Sequence, residues 1–213
     1  MNALTDTDST TLFYIHDPMC SWCYAFEKSL STLRPALPAS IQLKYLVGGL
    51  APDTTEIMPE SLQTMIQQTW HRIEQTVSGV TFNHDFWIIN KPMRSTYPAC
   101  RAVLAAKKQS LNAERLMIEA IQQAYYKQAK NPSLNKTLAE CRSTIGLDVM
   151  QFEKDLVSEH IQLQLLSEIQ MVRSMGVTSY PSLRLFHHGT LSEITVDYMN
   201  HQTMLNEMKV KSC

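Results

Sequence analysis

The sequence has no surplus of charge of either sign, no long apolar run and few cysteines, and each shortage excludes something. Lys+Arg number 19 against 20 Asp+Glu, a formal net charge of -1, whereas nucleic-acid binders carry a basic excess or stripe. No stretch approaches the ~18 consecutive apolar residues of a membrane helix, so neither nucleic acid nor membrane is an expected partner. The first ten residues, MNALTDTDST, are polar and include Asp6 and Asp8, while a secretory signal needs a basic start and then an apolar stretch. Five cysteines are an odd number, which suits free thiols in a reducing compartment better than a paired framework. A cytoplasmic protein without structural disulfides is expected. Internal repeats and low-complexity tracts are also missing. What remains is a chain of 213 residues, long enough to bury a large core and suited to one domain with an insertion.

The hydrophobic pattern starts as βαβ. Leu12 to His16 reads as a strand closed by the turn signal Asp17-Pro18. Phe26, Leu30 and Leu33 follow at helical spacing from Cys20 to about Leu37, with Pro35 and Pro38 expected to end that helix. Ile41, Leu43 and Tyr45 alternate with polar residues in a second strand, stopped at Gly48-Gly49. A helical crossover makes the two strands parallel. From 51 to 175 the periodicity is helical: Leu62, Ile66, Trp70, Ile73 and Val77 share a face, 95–108 is alanine-rich, Leu116, Ile121 and Tyr125 form another stripe, and 135–145 and 148–174 read as further helices. Gly146 and Gly176 stand at C-cap positions and Asp148 at an N-cap. Strands return at Pro181–Phe186 and Leu191–Val196 around a tight turn at Gly189, an antiparallel hairpin, and 200–211 reads as a last helix.

In this frame the run DPMCSWCYAF, residues 17–26, puts Cys20 and Cys23 three apart. A structural zinc site needs four ligands, but Cys100, Cys141 and Cys213 are isolated and His187-His188 is not spaced like a finger, so no metal is expected. Buried, inert thiols are a second reading. Placement favours a third. Cys20 lies directly after a strand and a turn, at the mouth of a helix, where unpaired N–H groups and the helix dipole favour a thiolate. Cys23 would lie one turn deeper, shielded but within reach. Far along the chain, GVTSYPSLRLF puts Pro181 just before a strand, where a trans proline opening that strand is the ordinary reading.

A CxxC after the first strand, a helical block, and a proline before a β-hairpin together resemble the DsbA family of thioredoxin-like oxidoreductases. The likeness extends to its cytosolic FrnE-type branch through Asp17, Pro18, Cys20, Trp22, Cys23 and Tyr24. The resemblance implies an α/β, thioredoxin-like fold (βαβ … ββα) with a large all-helical insertion: 11–50 and 176–211 would form the thioredoxin-like domain and 51–175 the insertion. It implies that Cys20 is the nucleophile, Cys23 the resolving thiol and Pro181 a cis-proline facing them. Tyr180 would offer its backbone to an extended substrate chain, with Trp22 and Met19 as neighbouring contacts. It implies no cofactor, and disulfide- or thiol-containing proteins, and glutathione, as partners. Three positions depart from the family pattern. Tyr14 stands where a buried acid is usual, the dipeptide between the cysteines is Ser21-Trp22, and Tyr180 replaces the usual valine or threonine.

Asp17 is placed either to assist the resolving thiol or only to turn the chain. His16, at a strand end, is expected to be a hydrogen-bonding surface residue. Cys100, Cys141, Trp70, Tyr125 and Tyr126 read as packing residues, and Cys213 as exposed. The expected function is thiol–disulfide oxidoreductase or isomerase. Its rivals are a glutathione-dependent isomerase or transferase of the kappa or hydroxychromene-carboxylate type, which typically has serine at the Cys20 position, and a non-catalytic binding protein on the same fold.

Overall fold

The computed structural model describes residues 10–212. Along the chain it forms β1 (Thr10–His16), α1 (Ser21–Ala36), β2 (Ile41–Val47), α2 (Glu60–Thr76), α3 (Phe86–Ile89), α4 (Tyr97–Gln109), α5 (Leu111–Gln122), a π-helical turn (Gln123–Lys127), α6 (Asn135–Thr144), α7 (Val149–Leu156), α8 (Glu159–Ser174), β3 (Ser182–His187), β4 (Thr190–Ile194) and α9 (His201–Lys211). The sheet order is β2-β1-β3-β4. β1 runs parallel to β2, Leu12 beside Leu43, and antiparallel to β3, Leu12 beside Leu185. This is the thioredoxin-like βαβ … ββα arrangement with helices between β2 and β3. Cys213 falls outside the described residues. No described helix is long and apolar enough to cross a membrane.

β1 lies between two strands and is buried along its whole length. Both its faces are covered, so it reads as a continuous apolar run without alternation. On one face Phe26, Leu30 and Leu33 of α1 and Met204 and Met208 of α9 pack on Leu12, Tyr14, Leu183 and Leu185. On the other, Phe13 and Ile15 meet Val172 and Met175 at the end of α8. A third cluster, around Trp70, Val103, Leu104, Ile121 and Phe152, fills the helical block and also takes in Met19, Ala25 and Val47. The turn between β1 and α1 is therefore clamped between sheet and helices. A fully buried side chain of this type contributes roughly 1.5–3 kcal/mol.

Local signals set most boundaries. Asp148 caps α7 by accepting from the Gln151 N–H at 2.7 Å, and Gly146 and Gly176 have positive φ, 69° and 70°, the left-handed backbone that ends helices. The β3–β4 hairpin turns through His188 and Gly189 at φ 45° and 78°, which matches a type I′ turn. Three expectations need correction. Pro35 lies inside α1, which runs to Ala36: it forfeits the bond its N–H would give the carbonyl four residues back, but only one helical residue follows it, so the helix stops almost at once as the proline demands. The single helix expected over 148–174 is two, because Ser158 accepts from the Ile161 N–H at 3.2 Å and starts α8 afresh. The π-helical turn was not expected at all; it carries Tyr125 and Tyr126, both buried.

Candidate active site

Cys20 is the N-cap of α1. Its backbone is extended, φ -81° and ψ 118°, and its Sγ accepts from the Cys23 N–H at 3.4 Å. The turn leading into it is held by the Cys20 N–H donating to Asp17 O at 3.0 Å. Cys20 is 7% exposed and Cys23 not at all, so one sulfur can be reached from outside and the other only through its neighbour. Burial first, and then the adjacent Cys20, push the Cys23 thiol well above its ordinary pKa. Across the site the Cys20 thiol donates to Tyr180 O at 3.5 Å, and the Tyr180–Pro181 peptide bond is cis. The fold thus brings together residues 160 apart in sequence.

The surroundings are aromatic. Trp22 is half-buried, its ring 5.1 Å from that of Tyr198, with the Arg72 guanidinium 5.8 Å over its face. Tyr24 stacks on Tyr126 at 4.6 Å and meets the edge of Phe82. Tyr180 is half-buried; its hydroxyl donates to Gly48 O at 2.8 Å. Its ring lies so close to Gly48 that a Cβ there would come within 2.2 Å of it. Met19 is buried among the helices, 7% exposed, and of the three expected contact residues it offers the least surface.

Behind the cysteines the polar groups differ from expectation. His16 is not a surface residue: it is fully buried, stacked on Tyr14 at 5.0 Å and edge-on to Tyr45 at 5.9 Å. Neither ring nitrogen has a hydrogen-bond partner among the described residues. Its strand is central, which the apolar LFYI run does not reveal for the residue that follows it. Burial, with Lys107 adding to it, pushes its pKa down to about 3, so the ring is neutral. Tyr14, in the place usual for an acid, is buried, with its pKa raised by burial and then by Cys23. Glu27, one helical turn beyond Cys23, has its pKa pushed up to about 7 by burial, against the pull of Arg34. The i, i+4 spacing of Cys23 and Glu27 is the signal that would have found it.

Asp17 does more than turn the chain. It is completely buried and accepts from the Met19 N–H at 2.8 Å, the Leu50 N–H at 2.7 Å, the Thr96 hydroxyl at 2.6 Å and the Cys100 thiol at 3.5 Å. Cys100 and Thr96 belong to the helical block, and no local pattern marks either. Cys141 is a packing residue, its thiol donating to Ala120 O at 3.5 Å. Away from the cysteines, His71, Glu74 and His84 bring ligand atoms within 4.8 Å of one another. The two imidazoles stack 4.4 Å apart and only 11° from parallel. A metal has to lie in the plane of each ring it binds, so this stack around one carboxylate is not arranged as a ligand set.

A family model described as thioredoxin matches residues 13–207. Among curated relatives, the ClpXP adapter protein SpxH of Halalkalibacterium halodurans is 25% identical over 192 residues, 87% of this chain and 62% of the relative. SpxH of Bacillus subtilis is 23% identical over 177 residues, 83% and 58% of the two chains. The chain therefore spans about three-fifths of the length of these relatives. Among solved structures, one from Nitrosomonas europaea described as a candidate protein disulfide isomerase superposes with TM-score 0.84 at 23% identity, covering 95% of this chain and 97% of that one. The cytosolic disulfide reductase DsbM of Pseudomonas aeruginosa gives 0.75 at 20% identity, covering 95% and 100%.

Proposed function

Because the chain belongs to the thioredoxin family, we propose that it is a thiol–disulfide oxidoreductase or isomerase acting through Cys20 and Cys23 in the cytoplasm. The observation that carries this reading is the Cys20 sulfur at the helix mouth, 3.4 Å from the Cys23 N–H and 3.5 Å from Tyr180 O. At a helix mouth the sulfur faces N–H groups that the helix itself leaves unused. Cys20 attacks a substrate sulfur, forming a mixed disulfide; Cys23 then attacks Cys20 and releases the substrate as a thiol. Tyr180 and Trp22 flank the sulfur and supply the backbone and apolar surface against which a substrate rests, with Met19 behind them and Pro181 shaping the loop. Proteins bearing thiols or disulfides are the proposed substrates. Glutathione is a further candidate, and one DsbM structure was solved with it.

The test is trapping. Cys23→Ser is expected to accumulate mixed disulfides on Cys20, Cys20→Ser to accumulate none, and both to lose insulin reduction. If Cys23→Ser traps nothing and each variant reduces insulin as the unmodified protein does, the dithiol is not the working group. A second reading, a protein-binding adapter, is favoured by the likeness to the SpxH adapter proteins. It predicts a stable complex with a protein partner that survives replacement of both cysteines, which the oxidoreductase reading does not.

A further inference from the structure

Asp17 is fully buried, and no ion pair involves it among the described residues. Every group bound to its carboxyl is a donor. The Thr96 hydroxyl accepts from the Ala51 N–H at 3.1 Å and has two acceptors in reach, the Asp17 carboxyl at 2.6 Å and, more distant, Ala51 O at 3.4 Å. Four donors converging on one carboxyl favour the carboxylate over the acid, against the burial that raises its pKa. A buried carboxylate without a cation is costly, and such groups concentrate at functional sites.

These bonds also close a circuit. Asp17 holds Met19 beside Cys20 and, through Leu50, the turn after β2. That turn is tied back by the Gly48 N–H donating to His16 O at 2.7 Å. Gly48 O accepts from the Tyr180 hydroxyl, and Tyr180 O accepts from the Cys20 thiol. The nucleophile and the loop facing it are thus referenced to one carboxylate.

We propose that Asp17 is the positioning residue of the dithiol, and that its unpaired negative charge weights the couple toward the disulfide, so that the protein donates electrons to substrate disulfides. This rests on the dithiol reading above. A fixed negative charge disfavours a second one nearby, and a dithiol whose thiolate is disfavoured is a better reductant; strong oxidants stabilise their reduced form instead. The ionisable groups that interact with Asp17 are Cys23 on α1, Cys100 on α4, Tyr125 and Tyr126 in the π-helical turn, and Tyr180. All are neutral acids near pH 7, and none offsets its charge. In the proposed direction the Cys20 thiolate attacks one substrate sulfur, the substrate S–S bond breaks, and the departing sulfur takes up a proton. Cys23 then loses its proton and attacks Cys20, forming the Cys20–Cys23 bond and releasing the second substrate thiol. Two electrons and two protons pass to the substrate, and a cellular thiol reductant restores the dithiol.

The experiment equilibrates the unmodified protein and Asp17→Asn with glutathione redox buffers between about pH 5 and pH 8 and reads the Cys20–Cys23 disulfide by alkylation and mass. Near pH 7, Asp17→Asn is expected to shift the equilibrium toward the dithiol by about tenfold, ~30 mV. The gap should narrow as the pH falls, because burial raises the Asp17 pKa and a protonated Asp17 lacks the charge that Asn also lacks. No shift, or a gap constant across pH as a purely structural role would give, overturns the proposal. Should Asp17→Asn fail to fold, redox-difference infrared spectra of the unmodified protein decide. A carboxylate band that changes between disulfide and dithiol, and that moves in Cys100→Ala, is expected; its absence overturns the proposal. Failure of the unmodified protein to form the Cys20–Cys23 disulfide at any ratio sinks the oxidoreductase reading as well. Normal exchange with no effect at Asp17 sinks this proposal alone.

Discussion

His16 and Asp17 are neighbours in sequence, both wholly buried, and treated in opposite ways. The imidazole lies between Tyr14 and Tyr45 with neither nitrogen bonded; burial holds it neutral, its pKa down at about 3. The carboxyl one residue on meets four donors, which pull its pKa down against the burial that raises it. The difference is topological. His16 is the last residue of the central strand, covered by packed side chains, whereas Asp17 begins the turn, where N–H groups not used by the sheet converge. One residue along the chain separates a position where the fold excludes charge from one where it organises around it.

The largest expected effect breaks the Asp17 side. Asp17→Ala leaves several donors buried without an acceptor, at roughly 1–3 kcal/mol each before relaxation. A loss of about 3–5 kcal/mol in urea unfolding is expected at pH 7. A loss below about 1 kcal/mol would mean that the donors find water or other acceptors, and that Asp17 is no hub.

The His16 side is sharpened by pH. A folded-state pKa of about 3 against an ordinary value near 6.5 means that the unfolded chain binds the extra proton between those limits. Stability from this residue is therefore full above about pH 6.5 and declines as pH falls toward about 3. At pH 5 the deficit is about 1.5 pKa units, or roughly 2 kcal/mol. His16→Phe, similar in shape and with no hydrogen bond to lose, is expected to unfold like the parent at about pH 8 and to gain about 2 kcal/mol over it at pH 5. Parallel pH–stability curves for the two proteins would show that His16 can reach a proton acceptor when folded.

The contrast explains what was legible in the sequence. The dithiol, its place at a helix mouth, and the strand–helix order came from local patterns: CxxC, Asp17-Pro18, and the 3.6 and 2 periodicities. Those patterns reflect forces acting within one element. Whether His16 is covered depends on β2, whose Val47 pairs with it and whose Tyr45 stands edge-on to its ring, and Asp17 draws its partners from Leu50, Thr96 and Cys100. No periodicity within β1 or α1 encodes either fact. Glu27 is the intermediate case: its spacing from Cys23 was readable, but its raised pKa needs the burial that only the packed α1 supplies. The split at Ser158 was readable too, as a serine three residues before an apolar position, yet a continuous helical period on both sides concealed it.

The smallest expected effect tests the far side of the circuit, where Tyr180 meets Gly48. Tyr180→Phe removes the hydroxyl that donates to Gly48 O at 2.8 Å but keeps the ring that lies against Gly48 and the carbonyl that faces Cys20. Because Tyr180 is only half-buried, water can take over the donor's place, so about 0.5–1.5 kcal/mol of stability is expected to be lost. The thiolate titration of Cys20, followed by its absorbance, should stay unchanged, because the group next to the sulfur is backbone. Asp17→Asn, which alters charge and leaves the Tyr180 loop chemically intact, should change the titration. If Tyr180→Phe moved the titration as far as Asp17→Asn does, geometry of the facing loop, and not the buried charge, would govern the sulfur. Unequal responses in the expected order would separate the two roles: Tyr180 closes the circuit, and Asp17 sets its electrostatics.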